Sequence, residues 1–306
     1  MRVLPIPVPG PDEVLIKVKY ASVNSWDWDL MRGEPFLFRL FTGPFRPHYK
    51  VLGADISGIV ESAGSNVQSL KPGDAVMGDI SICHWGGFAE YVTASETALI
   101  KKPDTLSFAE AAAIPQAGIL AWQGLYQFGS IQPGQKVLIN GAGGGVGSFA
   151  IQLVKMYGAE VTAVDSDDKF EFMQSLGADH LLDYKKVDFT KSGNLYDLIL
   201  DVNANRSLSA YKKSLSEDGG FVMIGGSLIT ILQTAMSGMF SVKSRKKTEL
   251  LIHKPNQNDL QSLSTLCAEG KIKVMIDKQY PLAETAQAIQ YLGDGKVKGK
   301  VVISIS

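Results

Sequence analysis

The glycines of the stretch KVLINGAGGGVGSFAIQLVK, residues 136–155, are placed to hold a phosphate. Residues 136–140 form a short apolar run of strand type, and from Gly147 onward Phe149, Ala150, Leu153 and Val154 recur at helical spacing. A strand that turns through glycines into a helix can approach a ligand closely, because glycine tolerates positive φ. The unpaired amides and positive dipole end of the new helix then face the anion. The spacing is Ala142-x-Gly144-x-x-Gly147, with alanine at the first position of the triple-glycine fingerprint. Gly144, Gly145 and Val146 are the candidates to offer amides to a pyrophosphate. Asp165 closes a second apolar run, residues 160–164, and stands twenty-one residues after Gly144. A carboxylate at that distance suits the adenosine ribose hydroxyls of a dinucleotide. A tight strand-to-helix turn with no ligand is the plain alternative.

The residues around Asp165 bear on which dinucleotide is held. A carboxylate accepts the ribose hydroxyls of NAD(H), whereas NADP(H) brings a phosphate against Asp165, Asp167 and Asp168, a like-charge contact. Ser166 and Lys169 are the two neighbours able to receive such a phosphate, so NAD(H) is favoured over NADP(H) without excluding it. Asn203 and the turn Gly225-Gly226-Ser227 follow two later strands, at the carboxyl edge where the nicotinamide half of a cofactor lies. Ordinary turn chemistry accounts for each of them equally well.

Elements positioning these residues can be read along the chain. Residues 136–140, 160–165, 180–183, 197–202 and 220–225 read as strands, with helices after the first, second and fourth; such alternation predicts a parallel, doubly wound sheet. Residues 248–252 supply a sixth strand. Ahead of this lie many short strands between glycine turns, at 13–20, 51–60, 74–77 and 86–93, which predict a mostly antiparallel β domain. Residues 21–33 turn polar and then helical, and the proline- and aromatic-rich residues 34–49 read as a long loop. A helical segment opens behind Ser107 with Glu110 as its capping box and is interrupted by Pro115. After residue 255 come a helix (259–269), a strand (272–276), a helix (283–292) and a last strand (300–305). The expected division is residues 1–113, then a dinucleotide-binding domain over 114–254, with 255–306 returning to the first domain.

A chain of 306 residues can bury two cores. With 30 basic and 31 acidic residues it carries no global charge to attract nucleic acid or an anionic membrane. No stretch is apolar for the length of a membrane helix, and the N-terminus lacks the blocks of a signal peptide, so a cytoplasmic protein is expected. Two cysteines, Cys83 and Cys267, are too few for a disulfide framework or a four-thiolate zinc site. Residues 227–242 are apolar and followed by Lys243, Arg245, Lys246 and Lys247; such a stretch covers a cofactor, packs in an interface or lies on a membrane surface.

The segments ASVNSWDWDLMRG, VLGADISGIVESAGSNVQSLKPGD, GGFAEYV, VLINGAGGGVG and KGKVVISI, in that order, resemble the medium-chain dehydrogenase/reductase superfamily, and within it the zinc-independent quinone oxidoreductase branch. The resemblance covers nearly the whole chain. It implies an α/β protein with a GroES-like β domain and a Rossmann dinucleotide-binding domain. Zinc-dependent members hold their metal with a cysteine, three residues before an aspartate, and with a Gly-His-Glu. Here those positions are Asn24, Asp27 and Gly53-Ala54-Asp55, and an amide and a methyl do not replace thiolate and imidazole on Zn²⁺. His84 beside Cys83 is a pair too small to make a metal site by itself.

By the same resemblance Asn24 stands near the nicotinamide and substrate, where its amide donates to a developing oxyanion or merely structures its loop. Asp27 orients Asn24 or the substrate, or caps a helix. Tyr184 matches a family tyrosine beside the adenosine, Leu120 stands where relatives usually carry threonine, and residues 248–252 match a strand that pairs across a homodimer. Relatives also begin with an additional strand ahead of the Pro-rich start, which predicts either an upstream extension or a β domain lacking an edge strand. The activity implied is hydride transfer from NAD(P)H to a small quinone or α,β-unsaturated carbonyl, since without a Lewis acid a conjugated acceptor is easier to reduce than a simple alcohol is to oxidise. A weakly catalytic redox sensor or scaffold and a zinc alcohol dehydrogenase are the rival readings.

Overall fold

A computed structural model describes residues 2–33, 43, 49–127, 131–240 and 245–305. They form two compact units, residues 1–119 with 255–306, and residues 120–254.

The first unit is built on a seven-stranded sheet. β1 (Glu13–Val23) buries Val14, Leu15 and Ile16 in a row, and Ile16 and Val18 then alternate with half-exposed Lys17 and Lys19, the period-two pattern of a strand with one face on the core. Its last three residues, Ala21, Ser22 and Val23, are all buried, because β1 there lies between β2 (Asp55–Ala63) and β13 (Lys300–Ser304). β3 (Ala75–Asp79) follows β2, β5 (Leu99–Lys101) follows β3, and β4 (Tyr91–Ser95) pairs with the first half of β1. β12 (Ile276–Pro281) lies parallel to β13 at the edge. The helices are α1 (Ser25–Arg32), α2 (Phe108–Ala113), the start of α3 (Pro115–Tyr126), α8 (Gln257–Ala268) and α9 (Thr285–Gly293). Ser107 and Glu110 do form a capping box on α2: the Ser107 hydroxyl accepts the Glu110 N–H, and the Glu110 carboxylate accepts the Ser107 N–H.

The second unit holds a six-stranded parallel sheet of β6 (Lys136–Asn140), β7 (Glu160–Asp165), β8 (His180–Asp183), β9 (Tyr196–Asp201), β10 (Leu215–Met223) and β11 (Lys247–Leu250), in the spatial order β11-β10-β9-β6-β7-β8. The order reverses between β6 and β9, which in a doubly wound sheet is where ligands bind, outside the strands' carboxyl ends. Its helices are the end of α3, α4 (Gly145–Met156), α5 (Phe170–Ser175), α6 (Leu208–Lys213) and α7 (Leu228–Phe240). Leu138, Val164, Ile199, Tyr211, Phe221 and Met223 form the core, with the Tyr211 and Phe221 rings stacked at 4.2 Å.

Several expectations need correction. The segment 272–276 is not a strand: Ile272 is buried as the apolar residue that follows the end of α8, where Gly270 takes φ +71° and the Ile272 N–H bonds Leu266 O. The strand begins at Ile276 and runs through Asp277, Lys278 and Gln279, because an edge position needs no apolar alternation. The strand expected over 51–60 starts only at Asp55, since Gly53 turns the chain with φ +92°, and that expected over 86–93 starts only at Tyr91. A helix also follows the fifth parallel strand, as α7. Within the described residues no helix is long and apolar enough to cross a membrane. Most of the 34–49 loop, with Phe36, Phe38, Phe41 and Phe45, lies outside the described residues.

Candidate functional site

In the second unit β6 ends at Asn140, Gly141 takes φ +81°, and Gly144 caps α4 in extended conformation. The helix therefore starts two residues earlier than the apolar spacing suggested. Gly144 donates its N–H to Gly141 O at 3.3 Å, and its own carbonyl accepts the Ser148 N–H at 2.9 Å. The first-turn amides of Gly145, Val146 and Gly147 have no carbonyl within the helix to bond. Gly147 is glycine for a steric reason: a Cβ there would stand 2.4 Å from both Cα and O of Ala142. A Cβ on Gly144 would meet only Gly141 O, at 3.6 Å, so the mouth of the turn is open. A close-packed glycine behind an open one fits a pyrophosphate cradle.

Asp165, at the end of β7, faces this turn. Its Oδ2 accepts the Gly143 N–H at 2.9 Å, its Oδ1 accepts the Ser166 N–H at 2.9 Å, and Lys169 Nζ lies 3.2 Å from Oδ1. Asp165, Ser166 and Lys169 are all buried, and the Lys169 stem lies over Gly143, where a Cβ would come within 2.5 Å of Lys169 Cδ. Tyr184 is half exposed with Lys185 Nζ 5.7 Å above its ring, and Lys186 bridges Asp167 at 2.6 Å and Asp183 at 3.4 Å. At the switch point Asn140 Nδ2 donates to Asp201 Oδ1 at 2.8 Å, tying β6 to β9, and the same oxygen accepts the Asn203 N–H. Burial pushes the Asp201 carboxyl up to about 6. Gly226 lies so close to Ala204 that a Cβ would fall 2.1 Å from its carbonyl oxygen, and Gly225 lies close to Val202 O. Ser227 caps α7, its Oγ accepting the Thr230 N–H at 3.2 Å.

The first unit gathers a second cluster around Asn24. Asn24 Nδ2 donates to Asp55 Oδ2 at 2.9 Å, and its Oδ1 accepts from Lys300 Nζ at 2.5 Å. Asp55 also accepts the Ser22 hydroxyl at 3.1 Å on Oδ2 and the Gln116 N–H at 3.1 Å on Oδ1, with Lys300 Nζ 3.7 Å away. Asn24, Asp55 and Lys300 are each at most 5% exposed, so all three act in a nearly dry setting. Burial pushes the Asp55 carboxyl up and the Lys300 ammonium down, while each opposes the shift of the other. Asp27 is fully buried with Oδ2 on the Asn24 N–H at 2.8 Å and Oδ1 on the Gly53 N–H at 2.9 Å. Both oxygens are engaged by backbone, so Asp27 fixes the start of α1 rather than touching a ligand. Sequence reasoning missed Lys300 and the structural role of Asp55. The available signal was a lysine opening a strand that is otherwise apolar, VVI.

Among the described residues no three His, Cys, Asp or Glu side chains gather as a metal site. What Asn24 faces is a lysine ammonium and a carboxylate, a donor set that does not suit Zn²⁺.

Comparison with known proteins identifies the family. The family model for the alcohol dehydrogenase GroES-like domain matches residues 10–104, and the zinc-binding dehydrogenase model matches residues 176–303. The chain is 35% identical over 311 residues to the chloroplastic quinone-oxidoreductase QR1 of Triphysaria versicolor, covering 98% of this chain and 92% of the relative. It is 35% identical over 302 residues to the 2-methylene-furan-3-one reductase of Solanum lycopersicum, covering 95% and 71%. Among solved structures, the quinone oxidoreductase from Coxiella burnetii superposes with a TM-score of 0.88 at 31% identity, covering 99% of this chain and 93% of the other. With a GroES-like sheet, a doubly wound nucleotide sheet and relatives of this identity across its length, the chain belongs to the medium-chain dehydrogenase/reductase superfamily, among its quinone oxidoreductase-like members.

Proposed function

We propose that the protein is a zinc-free, NAD(P)H-dependent reductase of quinones or α,β-unsaturated carbonyls. The observation that carries this reading is the Asn24 amide. It stands at the position of a metal-binding cysteine in zinc relatives, with Oδ1 on Lys300 and Nδ2 on Asp55, so it can offer a carbonyl oxygen an N–H and no Lewis acid. The zinc named in one matching family description has no counterpart in these donors. A reduced nicotinamide supplies a hydride. The first-turn amides of Gly145 and Val146, beside Gly144, hold the pyrophosphate, and Asn203, Gly225, Gly226 and Ser227 line the carboxyl edge where the nicotinamide half lies. As hydride adds to the electrophilic carbon of the acceptor, its π electrons move to the carbonyl oxygen. The second Asn24 Nδ2 hydrogen steadies the charge there and water supplies the proton.

For the cofactor the reading favours NADH. Asp165, Asp167, Asp168 and Asp183 carry four carboxylates against the ammoniums of Lys169, Lys185 and Lys186, a balance that disfavours an added phosphate. Stopped-flow mixing of the protein with NADH or NADPH and a panel of quinones and enones tests the whole proposal. Oxidation of bound NADH by a conjugated acceptor is expected, slower with NADPH; binding of reduced cofactor with no acceptor reduced would refute the activity, and a preference for NADPH would give Lys169 the deciding role. A homodimer across residues 248–252 is supported by the position of β11 at the sheet edge, by exposed Ile252 and by the exposed Leu228, Ile229, Leu232 and Met236 of α7. Sedimentation of Ile252→Asp as a monomer beside a dimeric parent is the expected outcome. Cys83 and Cys267, both unpaired, suit a reducing, cytoplasmic setting.

A further inference from the structure

We infer that Lys300 and Asp55 are positioning residues that lock the Asn24 amide in one orientation, nitrogen outward from Lys300 and toward Asp55, so that Asn24 meets its ligand only as a hydrogen-bond donor. This rests on the reductase reading for its consequence in turnover, but its geometry stands without it.

An asparagine amide presents a donor at one end and an acceptor at the other, and the two ends differ little in shape. In an ordinary loop either orientation is accessible. Here the alternative is forbidden from both sides. Turning the amide over would set Oδ1 against the Asp55 carboxylate and Nδ2 against the Lys300 ammonium, replacing two charge-assisted bonds by two like-polarity contacts in a site almost without water. The supports are themselves held: Asp55 by Ser22 Oγ and the Gln116 N–H, Lys300 by Val23 O at 3.3 Å. Asp79, directly opposite Asp55 on β3 and buried, adds a further negative charge that draws the ammonium to this corner of the sheet. The Asn24 backbone is fixed independently by Asp27. An anionic oxygen on the substrate benefits from such an arrangement, because the donor is aimed before the charge develops.

The cluster also explains why two buried charges are retained where apolar side chains would pack more cheaply. A buried ion pair contributes little net stability, yet it discriminates between the two amide orientations more strongly than neutral groups can.

A thermodynamic cycle in turnover tests this. Lys300→Met alone strands the Asp55 carboxylate, so the decisive variant is the paired change Asp55→Asn with Lys300→Met, which removes both charges together. It is made in the parent and in Asn24→Ala. In the parent, kcat for a conjugated acceptor is expected to fall by about ten-fold or more, part of the roughly hundred-fold effect of losing an oxyanion donor, with the NADH dissociation constant unchanged. In Asn24→Ala the paired change is expected to alter the melting temperature but not kcat. An equal fall in kcat in both backgrounds, or no fall in the parent, overturns the inference, since a merely structural pair would behave so. If the parent reduces no acceptor, the reductase reading fails alone. The side-chain amide resonances of Asn24, assigned by their loss in Asn24→Ala, then decide the positioning. Slow solvent exchange in the parent that quickens about ten-fold or more in the paired variant supports it, and equal exchange in both refutes it.

Discussion

Most proteins lose stability as carboxylates are protonated, but the first unit of this one should lose stability as one of them is ionised. Asp27 is fully buried, and burial raises its carboxyl from 3.8 to about 7, with the nearby Asp55 charge pushing the same way and the Asn24 and Gly53 amides and Lys300 pulling back. Between those two values the folded chain keeps a proton that the unfolded chain has released. Stability therefore carries this contribution in full below about pH 4 and loses it as pH rises towards 7. The difference of about three pH units, at ~1.4 kcal/mol each, sets an upper bound of ~4 kcal/mol. Asp55 shifts in the same direction. Asp74 and Asp179 are held below their ordinary value by lysine partners and hydrogen bonds and Glu96 by hydrogen bonds from Ser69 and Gln68, so their contribution has the opposite sign and is lost as pH falls through and below the ordinary carboxylate range, at the acid end of this window. Lys300, lowered by burial, acts with the opposite sign: between its folded value and its ordinary one the unfolded chain holds the proton longer, and stability rises with pH. Urea midpoints followed by tryptophan fluorescence suit the question, since Trp26, Trp28 and Trp85 all lie in the first unit and only Trp122 in the second. The midpoint should fall from pH 4.5 to pH 7.5. Asp27→Asn should flatten that slope while costing about 1–3 kcal/mol throughout, because its amide nitrogen faces a backbone N–H. A parent midpoint that is constant or rises with pH, or an unchanged slope in Asp27→Asn, would refute the reasoning.

Two further outcomes are expected. Gly147→Ala puts a Cβ 2.4 Å from Ala142 backbone, and relief requires a shift of roughly 1 Å between α4 and the turn; NADH affinity measured by nicotinamide fluorescence should weaken about 100-fold, and the melting temperature should fall as well, because the clash is with backbone and the helix preference of alanine, up to ~1 kcal/mol, does not offset it. Unchanged affinity would remove this turn from the phosphate site. Ser107→Ala deletes the cap of α2 at a cost of about 1 kcal/mol, read as a fall of about 2–4 °C in a thermal melt.

The glycine turn was legible because its meaning is local: a strand, a turn and a helix adjacent in sequence, with Asp165 on the next strand. The capping box at Ser107 and Glu110 was legible for the same reason. The cluster around Asn24 was not, because Lys300 reaches it from 276 residues away through the pairing of β13 with β1, and no periodicity announces such a contact. Asp27 showed the reverse difficulty. Its residue type suggested chemistry as readily as helix capping, and its two backbone partners decide for the anchoring role. The misplaced strand at 272–276 followed the apolar residues, whereas β12 is an edge strand whose polar side chains carry no pattern.

The pairing of β13 with β1 has a consequence for how the molecule is made. The nucleotide-binding unit is one continuous stretch, 120–254, and has every strand of its sheet once the ribosome has passed it. Most of the first unit, though synthesised earlier, must wait with the end of β1 unpaired on one side until residues 300–304 emerge, and Asp55 waits with it for Lys300, the ammonium that accompanies it into the interior. Translation order and folding order are thus opposed. The nascent chain exposes an open sheet edge for most of its synthesis, and a ribosome-bound chain halted before residue 300 should be the form that chaperones recognise.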